Sequence, residues 1–285
     1  MRSLKRMVKA GLDRCAKLLP NSTKQKIALD YVEHLAQQRT IQLALYDRDN
    51  DFLRLPEPRE ALLLLEEDII TDAIYWIRKV EARLPRGGII FDVGAHRGIT
   101  AQLFARAASK VYAFEAMPEN AESIRRVLKA RSISNVLVHQ AAVSDAIGTS
   151  DFHIYMGFCE SKGHNSLGKV NTSKYLYTIK VPTITLDDFT EQNKIPSIDF
   201  LKIDVEGFEL EVLKGAAGLL SSKRIKMILF EANTPVLASI GKQLAPIYEL
   251  MRSHSYAITD LDGEALTVSQ FTGITFGDVL AFPAA

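Results

Sequence analysis

Three stretches of this chain carry residues whose types and spacing suit chemistry. The first is Asp92-Val93-Gly94-Ala95-His96-Arg97-Gly98, placed where the apolar run Ile89–Val93 hands over to a helical pattern. Glycines at such a turn let a ligand approach the backbone closely. Glu115 ends the next apolar run, 23 residues after Asp92. An acid about that far on commonly accepts hydrogen bonds from ribose hydroxyls. The second stretch is Lys202-Ile203-Asp204-Val205-Glu206-Gly207, with Glu231 and Asn233 in a matching place after Lys226–Phe230. Read as extended strand, Asp204 and Glu206 share one face. A carboxylate there can take a proton from an attacking hydroxyl. Alternatively, Asp204, Glu231 and Asn233 form an all-oxygen site for Mg²⁺ or Ca²⁺. The plainest account is capping or ion pairing with Lys202 or Lys214. The third stretch is His164-Asn165-Ser166, where a loop histidine is either a base or simply solvated.

The glycine turn separates two nucleoside cofactors. A dinucleotide turn needs G-x-G-x-x-G for its pyrophosphate. Here His96 replaces the middle glycine, leaving G-x-x-x-G. That suits S-adenosylmethionine, which has no pyrophosphate, and disfavours a nicotinamide oxidoreductase. A non-catalytic binding module is the remaining alternative. The expected cofactor residues are Asp92, Gly94, Ala95, Gly98, Thr100, Glu115, Ala116, Ala142 and Val143. Asp92 is expected to orient the methionine ammonium, and Ala141–Val143 to lie near the adenine. Asp204, Glu206 and His164 are the expected catalytic residues, and no metal is expected.

These stretches need a scaffold. Ile89–Val93, a helix at 99–108, Lys110–Ala116, a helix from Pro118 with Ala121, Ile124 and Leu128 inward, and Val136–Val143 read as β-α-β-α-β. That order predicts a parallel sheet with helices on both faces. Residues 151–182 interrupt it, with strand-like ends at Asp151–Met156 and Thr178–Val181 around a polar stretch. A long excursion of this kind often forms a lid or binding loop. The alternation resumes with strand Asp199–Val205 and a helix at 208–220, with Leu210, Leu213 and Ala217 inward. Strand Lys226–Ala232, a helix at 243–253, and strands Tyr256–Leu261 and Gly277–Phe282 follow, the last pair antiparallel. The fold class is therefore α/β, a doubly wound, mostly parallel seven-stranded sheet over 88–285. A mostly helical extension covers 1–87: helices at 24–38 and 59–84, a hairpin at 40–55, and a Pro85-Arg86-Gly87-Gly88 close.

Composition narrows the function. The 285 residues are 47% hydrophobic and 24% charged, which fits a packed core, and the net charge of +1 calls for no nucleic-acid partner. The two cysteines, Cys15 and Cys159, form no metal-ligand pair. Their separation makes a reduced, cytoplasmic protein the expectation, and no apolar run reaches the ~18 residues of a spanning helix. Residues 1–28 carry eight basic residues against Asp13 alone. Peripheral contact of that segment with an anionic membrane is the alternative to a solvated helix packed on its own domain. Oligomeric state is not legible.

The chain resembles the FkbM-type methyltransferases. The resemblance rests on Phe91–Gly98, Phe114-Glu115-Ala116-Met117-Pro118-Glu119, Asn165-Ser166-Leu167, Thr185-Leu186-Asp187 and Asp199–Glu209, and spans roughly 88–235. Val212-Leu213-Lys214-Gly215-Ala216 extends the last and most specific segment. The resemblance implies a class I methyltransferase fold and methyl transfer from S-adenosylmethionine to oxygen. It also implies a small-molecule or glycan hydroxyl as acceptor. His96 and Ala116 depart from the family's usual Asn and Pro.

Overall fold

The computed structural model describes Val80 and residues 83–155, 166–168 and 175–284. The expected elements before residue 80, and Cys15, Cys159 and His164, lie outside the described residues. In chain order the elements are β1 (Ile89–Val93), α1 (Ile99–Phe104), β2 (Lys110–Glu115), α2 (Pro118–Ala130), β3 (Val136–Gln140), β4 (Ala142–Val143), β5 (Gly148–Tyr155), β6 (Tyr175–Ile184), α3 (Leu186–Gln192), β7 (Phe200–Ile203), α4 (Glu209–Lys214), α5 (Ala217–Ser221), β8 (Ile228–Asn233), α6 (Thr234–Ser239), α7 (Ala245–Ser253), β9 (Tyr256–Thr259), α8 (Val268–Thr272) and β10 (Phe276–Pro283).

Seven strands form one sheet in the order β3-β2-β1-β7-β8-β10-β9. Pairing is parallel from β3 through β8, and β10 runs antiparallel to both its neighbours. The strands read as continuous apolar runs because both faces are covered. Phe91, Leu201 and Phe230 point to one face with Leu186, Val212, Leu219, Ile247 and Phe271 from α3, α4, α5, α7 and α8. Ile90, Phe200 and Leu229 point to the other, with Ala101 and Phe104 from α1 and Ile124 and Leu128 from α2. The expected doubly wound sheet is the one observed. In α2, Pro118 takes the first turn and Ala121, Ile124 and Leu128 are the buried positions, as the spacing requires.

The structure corrects several elements. The expected strand Val136–Val143 breaks after Gln140: β4 leaves the main sheet and pairs with β6, making a second sheet, β4-β6-β5. The ends of the excursion form a longer antiparallel ladder than expected, Gly148–Tyr155 against Tyr175–Ile184. The helix expected over 208–220 divides into α4 and α5. A Cβ at Gly215 would lie 2.0 Å from the Ser144 carbonyl oxygen, and the Asp187 carboxylate accepts from Gly218 N (2.7 Å) and Leu219 N (2.8 Å). A cap from another element thus starts a new helix; Val212, Leu213, Ala216, Leu219 and Leu220 are buried, Leu210 packs partly buried against the same core, and Ala217 is half-buried. The helix expected over 99–108 ends at Phe104. Helices α3, α6 and α8 go beyond the sequence expectation. Thr185 caps α3 by accepting from Asp188 N, and Asn233 caps α6 by accepting from Val236 N.

Candidate active site

Strands β2, β1, β7 and β8 are neighbours, so their carboxyl ends bring together segments more than 100 residues apart in sequence. The glycine turn follows β1. Gly94 (φ +78°) and Gly98 (φ +76°) hold left-handed conformations that favour glycine. A Cβ on Gly94 would fall 1.8 Å from the carbonyl oxygen of Asp204. The turn and the end of β7 are therefore in backbone contact, and Asp204 N donates to Val93 O.

Glu115, at the end of β2, closes the turn from the other side. Its Oε2 accepts from His96 N (2.7 Å) and its Oε1 from Met117 N (2.9 Å). Burial pushes its carboxyl up to about 7, against the pull of those two N–H groups. The Asn120 side chain also donates to it, so three of its four lone-pair sites are used and one remains to accept from a ribose. Burial also lowers His96 to about 4, helped by Arg97, so its imidazole is neutral at physiological pH.

Asp92 lies beneath the turn and is fully buried. Its Oδ2 accepts from the Thr100 hydroxyl (2.6 Å), and its Oδ1 lies 3.5 Å from Lys202 Nζ. Lys202 was not among the expected site residues. Its ammonium is buried between Asp92 and Asp204, 3.1 Å from Asp204 Oδ2, and also reaches Gly94 O (3.4 Å). Burial works against its charge, and the Asp204 and Asp92 carboxylates more than offset it, so Lys202 stays protonated. The nearer Asp204 takes the larger share of that ammonium. Asp92 keeps a raised pKa because its burial is only partly offset. The sequence signal was a lysine inside the buried run Phe200-Leu201-Lys202-Ile203, a residue type that is almost never buried unpaired.

Asp204 and Glu206 do not lie on a strand, which corrects the expectation that an extended backbone aligns them. β7 ends at Ile203, and Glu206 takes a left-handed φ of +53°. The turn is held from within: Glu209, buried at the start of α4, accepts from Val205 N and Gly207 N through Oε1. It is also held from outside, because Ser166 donates through Oγ to Glu206 O (2.9 Å) and pairs with His153 of β5. The excursion therefore reaches the acidic turn.

Asp204, Glu206 and Glu231 bring carboxylate oxygens within 4.8 Å of one another. Glu231 is pushed up to about 10 by burial and then by the Asp204 and Glu206 charges, so it holds a proton at neutral pH. Asn233, expected to complete an oxygen set with Asp204 and Glu231, instead donates its amide to Glu231 Oε2 (3.1 Å) and caps α6 with its oxygen. Ala95 (3% exposed) and Val143 (2%) are core residues, so only their backbone could meet a ligand. Ala116 and Ala142 pack with Phe152, Ile154 and Val181 beneath the second sheet.

Glu209 yields a pH prediction. Its pKa is raised from 4.5 to about 7, first by burial. Between those values the unfolded chain releases a proton that the folded chain retains, so stability falls as pH rises through the window. Glu115, Asp92 and Glu231 act with the same sign. Glu209→Gln keeps an oxygen for both N–H groups. It should flatten part of the decline in denaturant midpoint between pH 4.5 and 7; an unaltered slope would mean that Glu209 ionises normally in the fold.

A parallel sheet with one antiparallel strand near its edge, a glycine turn without a pyrophosphate cradle and an acid ending β2 define an S-adenosylmethionine-dependent methyltransferase. The left-handed glycines leave the backbone of the turn bare for such a cofactor. Residues 92–258 match the methyltransferase FkbM domain, and the chain belongs to that family. It is 27% identical over 181 residues to the 2-O-methyltransferase NoeI of Sinorhizobium fredii, covering 57% of this chain and 73% of that protein. It is 29% identical to the hexuronic acid methyltransferase AglP of Haloferax volcanii, covering 60% and 69%. It is 27% identical to the 31-O-demethyl-FK506 methyltransferase FkbM of Streptomyces tacrolimicus, covering 68% and 81%. Among the described residues no helix is long and apolar enough to cross a membrane.

Proposed function

We propose that this chain methylates a hydroxyl oxygen of a sugar or glycan. The observation that carries the reading is the acidic turn packed directly on the glycine turn, with Lys202 joining Asp92 to Asp204. The sugar acceptor is supported by the named activities of NoeI and AglP.

In this reading the bare backbone of Gly94–Gly98 admits the cofactor. Glu115 accepts from its ribose, Asp92 and Thr100 support the turn from below, and Ala116, Ala142 and the backbone of Ala95 and Val143 border it. S-adenosylmethionine supplies a methyl group on a positive sulfur, already activated toward attack. The chain's own task is to aim an oxygen and remove its proton. Asp204 keeps Oδ2 on Lys202, which leaves its Oδ1 to take the proton of a hydroxyl aimed at that methyl group. Glu206 helps aim the hydroxyl. Glu231, carrying its proton, donates to a neighbouring oxygen instead of competing as a base. His164 is the further candidate for proton removal.

Asp204→Asn should leave S-adenosylhomocysteine affinity unchanged and lower turnover about tenfold or more. Unchanged turnover on a defined acceptor would remove Asp204 from the mechanism. A second reading follows from the same three carboxylates, because a divalent cation would also hold them together. Mg²⁺ titration after chelation separates the two: turnover restored by the ion favours the metal. The extension over 1–87, a cytoplasmic location and a peripheral membrane contact through 1–28 remain parts of this proposal.

A further inference from the structure

The register of β8 and β10 lays out the far side of the site. Glu231 stands opposite Asp278, and Asn233 opposite Phe276. Opposed residues of an antiparallel pair project from the same face, and the faces alternate along each strand. Glu231, Asn233, Asp278 and Phe276 thus share a face. Leu229 and Leu280, two residues behind Glu231 and Asp278, pack in one apolar cluster with Ile90 and Phe200. Asp92 and Lys202 follow Ile90 and Phe200 by two residues, so they lie on this face as well. Reading outward, Asp92 and Lys202 are level with Leu229 and Leu280. Glu231 and Asp278 come next, and Asn233 and Phe276 form the rim.

Phe276 is 49% exposed at that rim, whereas Phe230, Phe271 and Phe200 are fully buried. A single exposed apolar residue is ordinary on a protein surface. Its place here decides its meaning: it is an aromatic ring at the mouth of a polar site, two residues from the strand partner of Glu231. Its backbone is firmly held. Thr234 N donates to Thr275 O (3.0 Å), the Thr234 hydroxyl donates to Ile274 O, and Phe276 itself enters the β10 ladder. A rigid aromatic surface beside a few convergent polar groups is how small polar ligands with an apolar face are oriented.

We infer that Phe276 stacks on the C–H face of a neutral hexopyranose acceptor and turns its hydroxyl edge toward Asp204, Glu206 and Glu231. The inference rests on the sugar reading above and narrows it. A pyranose has an apolar face and a hydroxyl rim, and the rim here meets Asp204 and Glu206, which accept from hydroxyls, and the protonated Glu231, which donates. Asp278 adds a fourth acid to the same face. A hexuronate would bring its own carboxylate beside the carboxylates of Asp204, Glu206 and Asp278, where like charges repel. The site therefore selects uncharged rings over acidic ones, and Phe276 is a specificity-determining residue rather than part of the proton chemistry.

The test is steady-state methylation of methyl glycosides of glucose, mannose, galactose and fucose, and of the matching uronates. Wild type, Phe276→Ala and Phe276→Tyr are compared, with S-adenosylhomocysteine titration as the control for folding. The neutral glycosides should be preferred. Phe276→Ala should raise KM for the preferred sugar about tenfold, with kcat within about threefold and S-adenosylhomocysteine affinity unchanged. Phe276→Tyr should restore KM, because the ring surface returns. A merely structural role would lower kcat or cofactor affinity along with KM, and would overturn the assignment. An unchanged KM in Phe276→Ala, with wild type active on pyranosides, would overturn the stacking alone. Preference for uronates would overturn the neutral-ring selection. No methylation of any pyranoside by wild type would overturn this inference and the sugar reading together.

Discussion

Gly94→Ala should lower turnover about a hundredfold, the cost of displacing a reacting group by roughly 1 Å. The added methyl would sit 1.8 Å from the Asp204 carbonyl oxygen and 2.8 Å from its carbonyl carbon. Those are backbone atoms, so no side-chain rotation relieves the clash. The glycine turn or the Asp204 turn must move, and Lys202, which spans both through Gly94 O and Asp204 Oδ2, must move with them. S-adenosylhomocysteine binding should weaken in parallel. Gly87→Ala is the matched control. Gly87 also has a left-handed φ, +72°, but a Cβ added there would meet nothing within 4 Å. That variant carries only the conformational cost, about 1–2 kcal/mol, and should keep full turnover. Equal losses in the two variants would assign the effect to backbone strain instead of to contact with Asp204.

Lys202→Met should destabilise the fold by about 3–5 kcal/mol, the usual cost of breaking a buried ion pair from one side. Methionine fills most of the space of the lysine stem, so packing is largely kept. What is lost is the ammonium 3.5 Å from Asp92, a carboxylate with no exposed surface. The sign with pH follows from linkage. Without Lys202 the folded pKa of Asp92 rises still further above its ordinary 3.8, and a carboxylate raised in the fold loses stability as pH rises. The deficit should therefore be small near pH 3.8 and grow toward neutrality. Urea unfolding at about pH 4 and about pH 7.5 measures it. A deficit independent of pH would show that lost packing, not the unpaired carboxylates, is responsible. Turnover should fall as well, because Asp204 loses the partner that positions its Oδ2.

Much of the scaffold was legible because it repeats simple periods. The buried parallel strands read as apolar runs, and α2 announced itself by Pro118 and the Ala121, Ile124, Leu128 spacing. The left-handed demand of the turn after β1 was legible in Gly94 and Gly98, since no other residue type takes that conformation as readily. Glu115 and the Asp204 region were legible as acids ending apolar runs. Helix α3 was also within reach, because Thr185 followed by Asp187 and Asp188 is a helix-start pattern.

The remaining features depended on contacts between distant segments. Nothing local in 208–220 says that the helix breaks; the break needs Ser144 against Gly215 and the Asp187 carboxylate on the first N–H groups of α5. Nothing local in Val136–Val143 says that the last two residues join another sheet, because β4 needs β6 as a partner. The grouping of Glu206 with Asp204 and Glu231 arose from a left-handed turn held by Glu209, nearby in α4, and by Ser166, 40 residues back in the excursion. Lys202 showed as an oddity in an apolar run, but its role required Asp92 of β1 and Asp204 to meet around it. Periodicity and turn chemistry are short-range and written in neighbouring residues. The pairing of charges, and the choice of which acid holds a proton, belongs to residues that are neighbours only once the sheet has formed.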